Sequence, residues 1–209
     1  MEFLANEFFL ITHDEQSGKL RLQKRVAGIG LAGALLGELV LNGNIHAANG
    51  TLSVLRTAPT GDDLADRVLY QLASEPKHQS VRTWLLFLAQ GADDRVGTRL
   101  ARAGLVTPTK SRRPWGTAVR YIPADLNKSG RPAVRLNTRI NGGDPLTVAD
   151  SMLAGLVAVT GLTKHVWWDS NAFTSHHLQT ALASLPISLH ELLAHTEAAV
   201  GDVVLGTNL

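Results

Sequence analysis

A chain of 209 residues, 44% of them hydrophobic and 18% charged, can bury a sizeable core without disulfides or metals. The absence of cysteine excludes a disulfide framework, a zinc-thiolate site and a thiol nucleophile, and points to a reducing, cytoplasmic setting. A formal net charge of +2 means that any strong pull on a charged partner must come from how the cations are distributed.

The opening Met1–Glu7 carries acid where a signal peptide needs Lys or Arg, so no secretory leader is expected. Residues 3–12 form an apolar segment, and 13–18 read as the polar turn after it. Leu20 to Leu41 reads as helix, in which Gly28, Gly30, Gly33 and Gly37 leave bare backbone for a close neighbour. Gly33-x-x-x-Gly37 is expected to serve tight packing in water, because the apolar stretches 26–41 and 152–162 both fall short of the roughly 20 residues needed to span a bilayer. Asn42-Gly43 and Asn49-Gly50 are turn signals around a short extended run, 45–48.

A helix over 63–74 follows, capped by Thr60 or Asp62 and ended by Pro76. Ser80 caps the next, through Leu88, with Val81, Trp84, Leu85 and Leu88 on one face and Gly91 as its stop. Asp93 or Asp94 is the expected cap of a third, whose apolar side is Val96, Leu100 and Ala103 and whose end is Gly104. On it Arg95, Arg99 and Arg102 stand at i, i+4 and i+7, which places three guanidinium groups on one face, either a solvated stripe or part of an anion-binding surface.

Residues 109–125 change character. Pro114, Gly116 and Pro123 break helices while Val119, Tyr121 and Ile122 favour strand, which predicts a β-hairpin or extended loop. Trp115 falls near its tip beside Arg112 and Arg113, where an indole either meets the lipid–water interface or folds back onto the body. From Lys110 to Arg139 there are eight cations against one acid, Asp125, a cluster that attracts lipid headgroups or nucleic acid unless it is simply a solvated loop.

Asp144-Pro145-Leu146 opens a long apolar helix through Leu162, expected at the centre of the bundle, and two more helices follow over 172–184 and 188–205. The elements predict an all-α fold over residues 1–209 as a single domain: a central helix bundle surrounded by amphipathic helices, with a protruding β-hairpin.

No catalytic chemistry emerges. His190 and His195 are five residues apart, about 140° around a helix, too far to grip one metal ion. The adjacent His176 and His177 diverge. Gly28-x-Gly30-x-x-Gly33 matches the dinucleotide string but lies inside a helical pattern with no strand before it. No catalytic residue, metal or cofactor is therefore assigned, and a non-enzymatic protein is expected.

Several of these stretches, in order, resemble the Golgi phosphoprotein family: Gly30-Leu31-x-Gly33-x-x-Leu36-x-Glu38-Leu39-x-Leu41-x-Gly43, then Ala58-Pro59-Thr60-Gly61-Asp62 and Val81-x-x-Trp84-Leu85. Arg99-Leu100-x-x-x-Gly104-Leu105-Val106-Thr107 and Asp144-Pro145 continue the match, and Ala, Gly and Arg usage points to a bacterial member. The resemblance implies a helical bundle with a membrane-inserting hairpin, a pocket for phosphatidylinositol 4-phosphate and a role in holding glycosyltransferases at Golgi membranes. The family's pocket Trp corresponds to Gln23 and its three pocket Arg to Ala32, Gln90 and Asp93, which cannot supply charge-assisted bonds to a phosphate. The hairpin is in place.

The function expected is therefore that of a peripheral, non-catalytic adaptor on anionic lipid, with Lys110, Arg112, Arg113 and Trp115 in contact and Arg95, Arg99 and Arg102 adding charge. The alternative is a protein-interaction scaffold that oligomerises through the hairpin; nucleic-acid binding ranks last, for want of interleaved aromatics or a reading helix.

Overall fold

The computed structural model describes residues 3–113, 116–168 and 171–206, and the side chains of 111–118 are outside that description. The described chain is mostly helical, with two small antiparallel hairpins. The elements run α1 (Leu4–Thr12), α2 (Lys24–Leu41), β1 (Ile45–Ala48), β2 (Thr51–Val54), α3 (Asp63–Ser74), α4 (Val81–Ala89), α5 (Ala92–Arg102), β3 (Val106–Arg113), β4 (Gly116–Pro123), α6 (Leu126–Gly142), α7 (Val148–Val159), α8 (Thr163–Val166), α9 (Ala172–Ala183) and α10 (Ile187–Gly206).

Helix α2 is the hub, buried without a break from Val26 to Leu39 and packed by α1, α3, α4, α5, α7, α10 and β1. The central place expected for α7 thus belongs to α2. Its glycines explain the difference. A Cβ on Gly28 would stand 2.7 Å from the Ala89 carbonyl of α4, one on Gly30 2.5 Å from the Phe8 ring of α1, and one on Gly33 2.8 Å from Thr196 of α10. Bare backbone on several sides lets neighbours close in all round. Helix α7 is second in the core, buried from Asp150 to Val157. One apolar cluster runs from Leu4 in α1 to Leu193 in α10.

Local chemistry sets the boundaries. Asp62 accepts from the Ala65 amide to start α3, Ser80 from Thr83 to start α4, and Thr147 from Asp150 to start α7. β1 and β2 meet in a two-residue turn, with Asn49 and Gly50 at φ 52° and 73°, the geometry that favours Asn-Gly. Other boundaries move. Helix α5 begins after Gly91, at φ 77°, so Asp93 and Asp94 sit in its first turn, where carboxylates oppose the positive end of the helix dipole, rather than capping it. Helix α7 is shorter than expected at both ends, and the hairpin starts at Val106 rather than Thr109. Helix α6 went unforeseen because Gly130 and Pro132 interrupt its pattern; its cap is Asp125, which accepts from the amides of Asn127 and Lys128, and its stop is Gly143 at φ 75°.

Candidate functional site

The β3–β4 hairpin pairs eight residues on each strand in register, from Val106 with Pro123 to Arg113 with Gly116. Its root is clamped to the body. Tyr121 is buried, stands edge-on to Phe9 at 5.9 Å between ring centroids, and donates from its hydroxyl to the Asp94 carbonyl at 3.2 Å. The ring lies on bare α5 backbone: a Cβ on Gly97 would fall 2.5 Å from it. Gly97→Ala is expected to shift Tyr121, loosen the root and cost about 1–3 kcal/mol, the usual range for overpacking, read as a lower midpoint in urea.

Beyond the root the ribbon turns outward, with Lys110 exposed and Val119 39% exposed. Between Val106 and Ala124 there are four cations, Lys110, Arg112, Arg113 and Arg120, and no carboxylate. The backbones of Arg112 and Arg113 lie in β3, opposite Thr117 and Gly116. Trp115 lies outside the described residues.

The three α5 arginines share one side of the helix, as their spacing requires, but not as a free stripe of charge. They line a cavity of about 580 Å³ with Phe3, Asn6, Asp62 and Arg67. Within it each takes a different partner. Arg95 donates to the Leu88 carbonyl, and Arg102 lies 3.5 Å from Asp63 at the surface. Arg99 is buried: Nη1 meets Glu38 Oε2 at 2.9 Å and Asp62 Oδ2 at 3.0 Å, Nη2 meets Glu38 Oε1 at 2.9 Å, and Nε meets Asn6 Oδ1 at 2.7 Å. Phe3 stacks on it, 4.7 Å from guanidinium to ring centroid. Glu38 also accepts from the Ala5 amide at 2.8 Å. Burial pushes the Glu38 carboxyl up, against the pull of Arg99. For Arg99, burial works against the charge, but the bonds to Glu38 and Asp62 outweigh it and raise its pKa. Arg99 therefore supplies no surface charge, contrary to the expectation, because α5 turns that side onto α2 and α1.

The basic segment divides in the same way. Arg135 meets Glu7 at 2.8 Å and Asp150 at 2.9 Å, and Arg139 meets Asp150 at 2.9 Å. Hydrogen bonds from Arg135 to Glu7, ahead of burial, which opposes them, hold its pKa above the usual arginine value. These carboxylates come from α1 and α7, so no local reading of the α6 sequence finds them.

Gln23, Ala32, Gln90 and Asp93, singled out above by resemblance, take up different places in the fold. Ala32 is fully buried in mid-α2, Gln23 precedes α2, Gln90 ends α4, and Asp93 lies 3.1 Å from His13 Nε2. His195 pairs with Glu191 at 3.4 Å rather than with His190. Glu191 accepts from the Gly50 amide at 2.6 Å, and that bond leads the causes that lower its pKa.

Over this frame, the Golgi phosphoprotein 3 (GPP34) family model matches residues 4–200. The chain belongs to the GPP34 family. A comparison with curated proteins finds no match. Among the described residues of this GPP34 protein, no helix is long and apolar enough to cross a membrane. What sequence reasoning missed in it is the buried Glu38–Arg99–Asp62 cluster. Its signal was present: Glu38 is the one carboxylate of α2 and stands in its apolar run from Val26 to Leu41, and a carboxylate buried there demands a cation.

Proposed function

We propose that this GPP34 protein is a peripheral membrane protein that docks on anionic phospholipid through the β3–β4 hairpin and acts as a non-catalytic adaptor. The observation that carries the reading is the ribbon itself, eight residues long on each strand, rooted by Tyr121 and furnished with four cations and no acid. In this reading Lys110, Arg112, Arg113 and Trp115 engage lipid, while Arg95 and Arg102 add longer-range attraction from α5. The family name, Golgi phosphoprotein, supports a membrane setting. Because Gln23, Ala32, Gln90 and Asp93 offer no cation, the attraction is to negative charge in general rather than to one phosphoinositide.

Each basic residue near an anionic surface contributes about 1 kcal/mol. Changing Lys110, Arg112 and Arg113 to Ala is therefore expected to weaken binding to phosphatidylserine-containing vesicles by about 100-fold in co-sedimentation. Added salt should weaken the parent in the same direction. Equal pelleting with neutral and anionic vesicles would refute the reading. Self-association lost on Trp115→Ala, without vesicle binding, would favour an oligomeric scaffold instead.

A further inference from the structure

Helix α6 carries four cations, Lys128, Arg131, Arg135 and Arg139, and no carboxylate. The structure sorts them. Arg135 and Arg139 are half-buried and matched by Glu7 and Asp150. Lys128 and Arg131 are exposed, with no carboxylate in ion-pair reach among the described residues. The same outer side exposes two large apolar side chains, Leu126 at 55% and Val134 at 57%. Leu126, Gly130 and Val134 follow at i, i+4 and i+8, so they form one stripe about 12 Å long. Gly130, whose Cβ would meet nothing within 4 Å, opens a shallow notch of about 470 Å³ between the two apolar ends, with Arg131 at its side.

We infer that the outer face of α6 is a second membrane-contact surface, lying along the headgroup–acyl boundary of an anionic bilayer with Leu126 and Val134 dipped toward the acyl chains and Lys128 and Arg131 on lipid phosphates. The inference rests on the hairpin reading and extends it from one projecting ribbon to two contacts. Arg131 follows Val134 around the helix and Lys128 stands farther along the same flank, so the cations lie on one border of the apolar strip, from which long side chains reach the phosphates of an interface. Charge selects the occupant: a second copy of the same face would set Lys128 and Arg131 against like charges, whereas a phosphate-bearing surface matches them. Only Ala124 and Asp125 separate β4 from α6, so Leu126 lies at the hairpin's root.

The chain has no cysteine, so Val134→Cys and, separately, Val119→Cys each accept a single environment-sensitive fluorophore. Vesicles are phosphatidylcholine alone or mixed with phosphatidylglycerol, and pelleting is followed in parallel. The Val134 label is expected to shift to the blue with the mixed vesicles only, and changing Lys128 and Arg131 to Ser should weaken binding about 30-fold with an unchanged circular dichroism spectrum. A Val119 label that shifts while the Val134 label stays water-like, in protein that pellets, overturns the α6 surface and leaves the hairpin reading standing. A chain that does not pellet, with neither label moving, overturns both. A Val134 shift that appears without vesicles and grows with protein concentration identifies the face as a contact between copies and overturns the inference.

Discussion

Arg99→Ala is expected to remove about 3–5 kcal/mol of folding stability, the range for breaking one side of a buried ion pair. The loss follows from what remains behind: Glu38 and Asp62, 5% and 11% exposed, keep their carboxylates without the guanidinium that joined them. Stability has a pH signature. Burial raises the Glu38 carboxyl above its ordinary 4.5, and the Arg99 hydrogen bond and charge restrain that rise. Without Arg99 the native state holds the Glu38 proton more tightly than the unfolded chain does. Protonation then favours folding, so the variant is most stable on the acid side and loses stability as pH rises from 4.5 through the raised native value. Urea titrations of the variant across that window check the sign. Adding Glu38→Gln should recover part of the loss at neutral pH and flatten the profile. A variant that melts with the parent at neutral pH would show that the cluster does not hold α1, α2, α3 and α5 together.

Phe8→Ala is expected to cost a similar amount, about 3–5 kcal/mol, the range for deleting a buried aromatic. The ring is wholly buried and lies against bare α2 backbone at Gly30. A cavity there cannot be filled by a neighbouring side chain of α2, because the position facing it has none. Gly30→Ala in the parent should destabilise by overpacking, about 1–3 kcal/mol. In the Phe8→Ala background the added methyl meets a void, so the two changes should be strongly non-additive. Calorimetric melts of the four proteins close that cycle. Simple additivity would mean that Phe8 and Gly30 do not form the α1–α2 contact.

How much of this was legible in the sequence depends on the range of the interaction responsible. Caps and turns act over a few residues, and Asp62, Ser80 and the Asn49-Gly50 turn were readable as such. The hairpin was readable from its helix breakers and β-branched residues, though not its first three residues, whose strand register depends on packing against α5. Helix α6 was hidden by Gly130 and Pro132, which look like breakers until Asp125 is seen as a cap. The arginines were the hardest to read. Periodicity puts Arg99 in line with Arg95 and Arg102, but only tertiary packing decides that Arg99 faces Glu38 across 61 residues of chain. A count of positive charges therefore overstated the outward field, since Arg99, Arg135 and Arg139 are all spent on carboxylates supplied by other helices.

The anchoring of α1 has a consequence for biosynthesis. Its apolar residues leave the ribosome well ahead of α6, and Glu7 finds Arg135 only 128 residues later. At about 5–20 residues per second, that delay is on the order of ten seconds. During it Phe8, Phe9 and Ile11 have α2 to lie on, but the lock supplied by α6 and α7 is missing. Chains truncated short of Arg135 should therefore be found in the aggregated fraction.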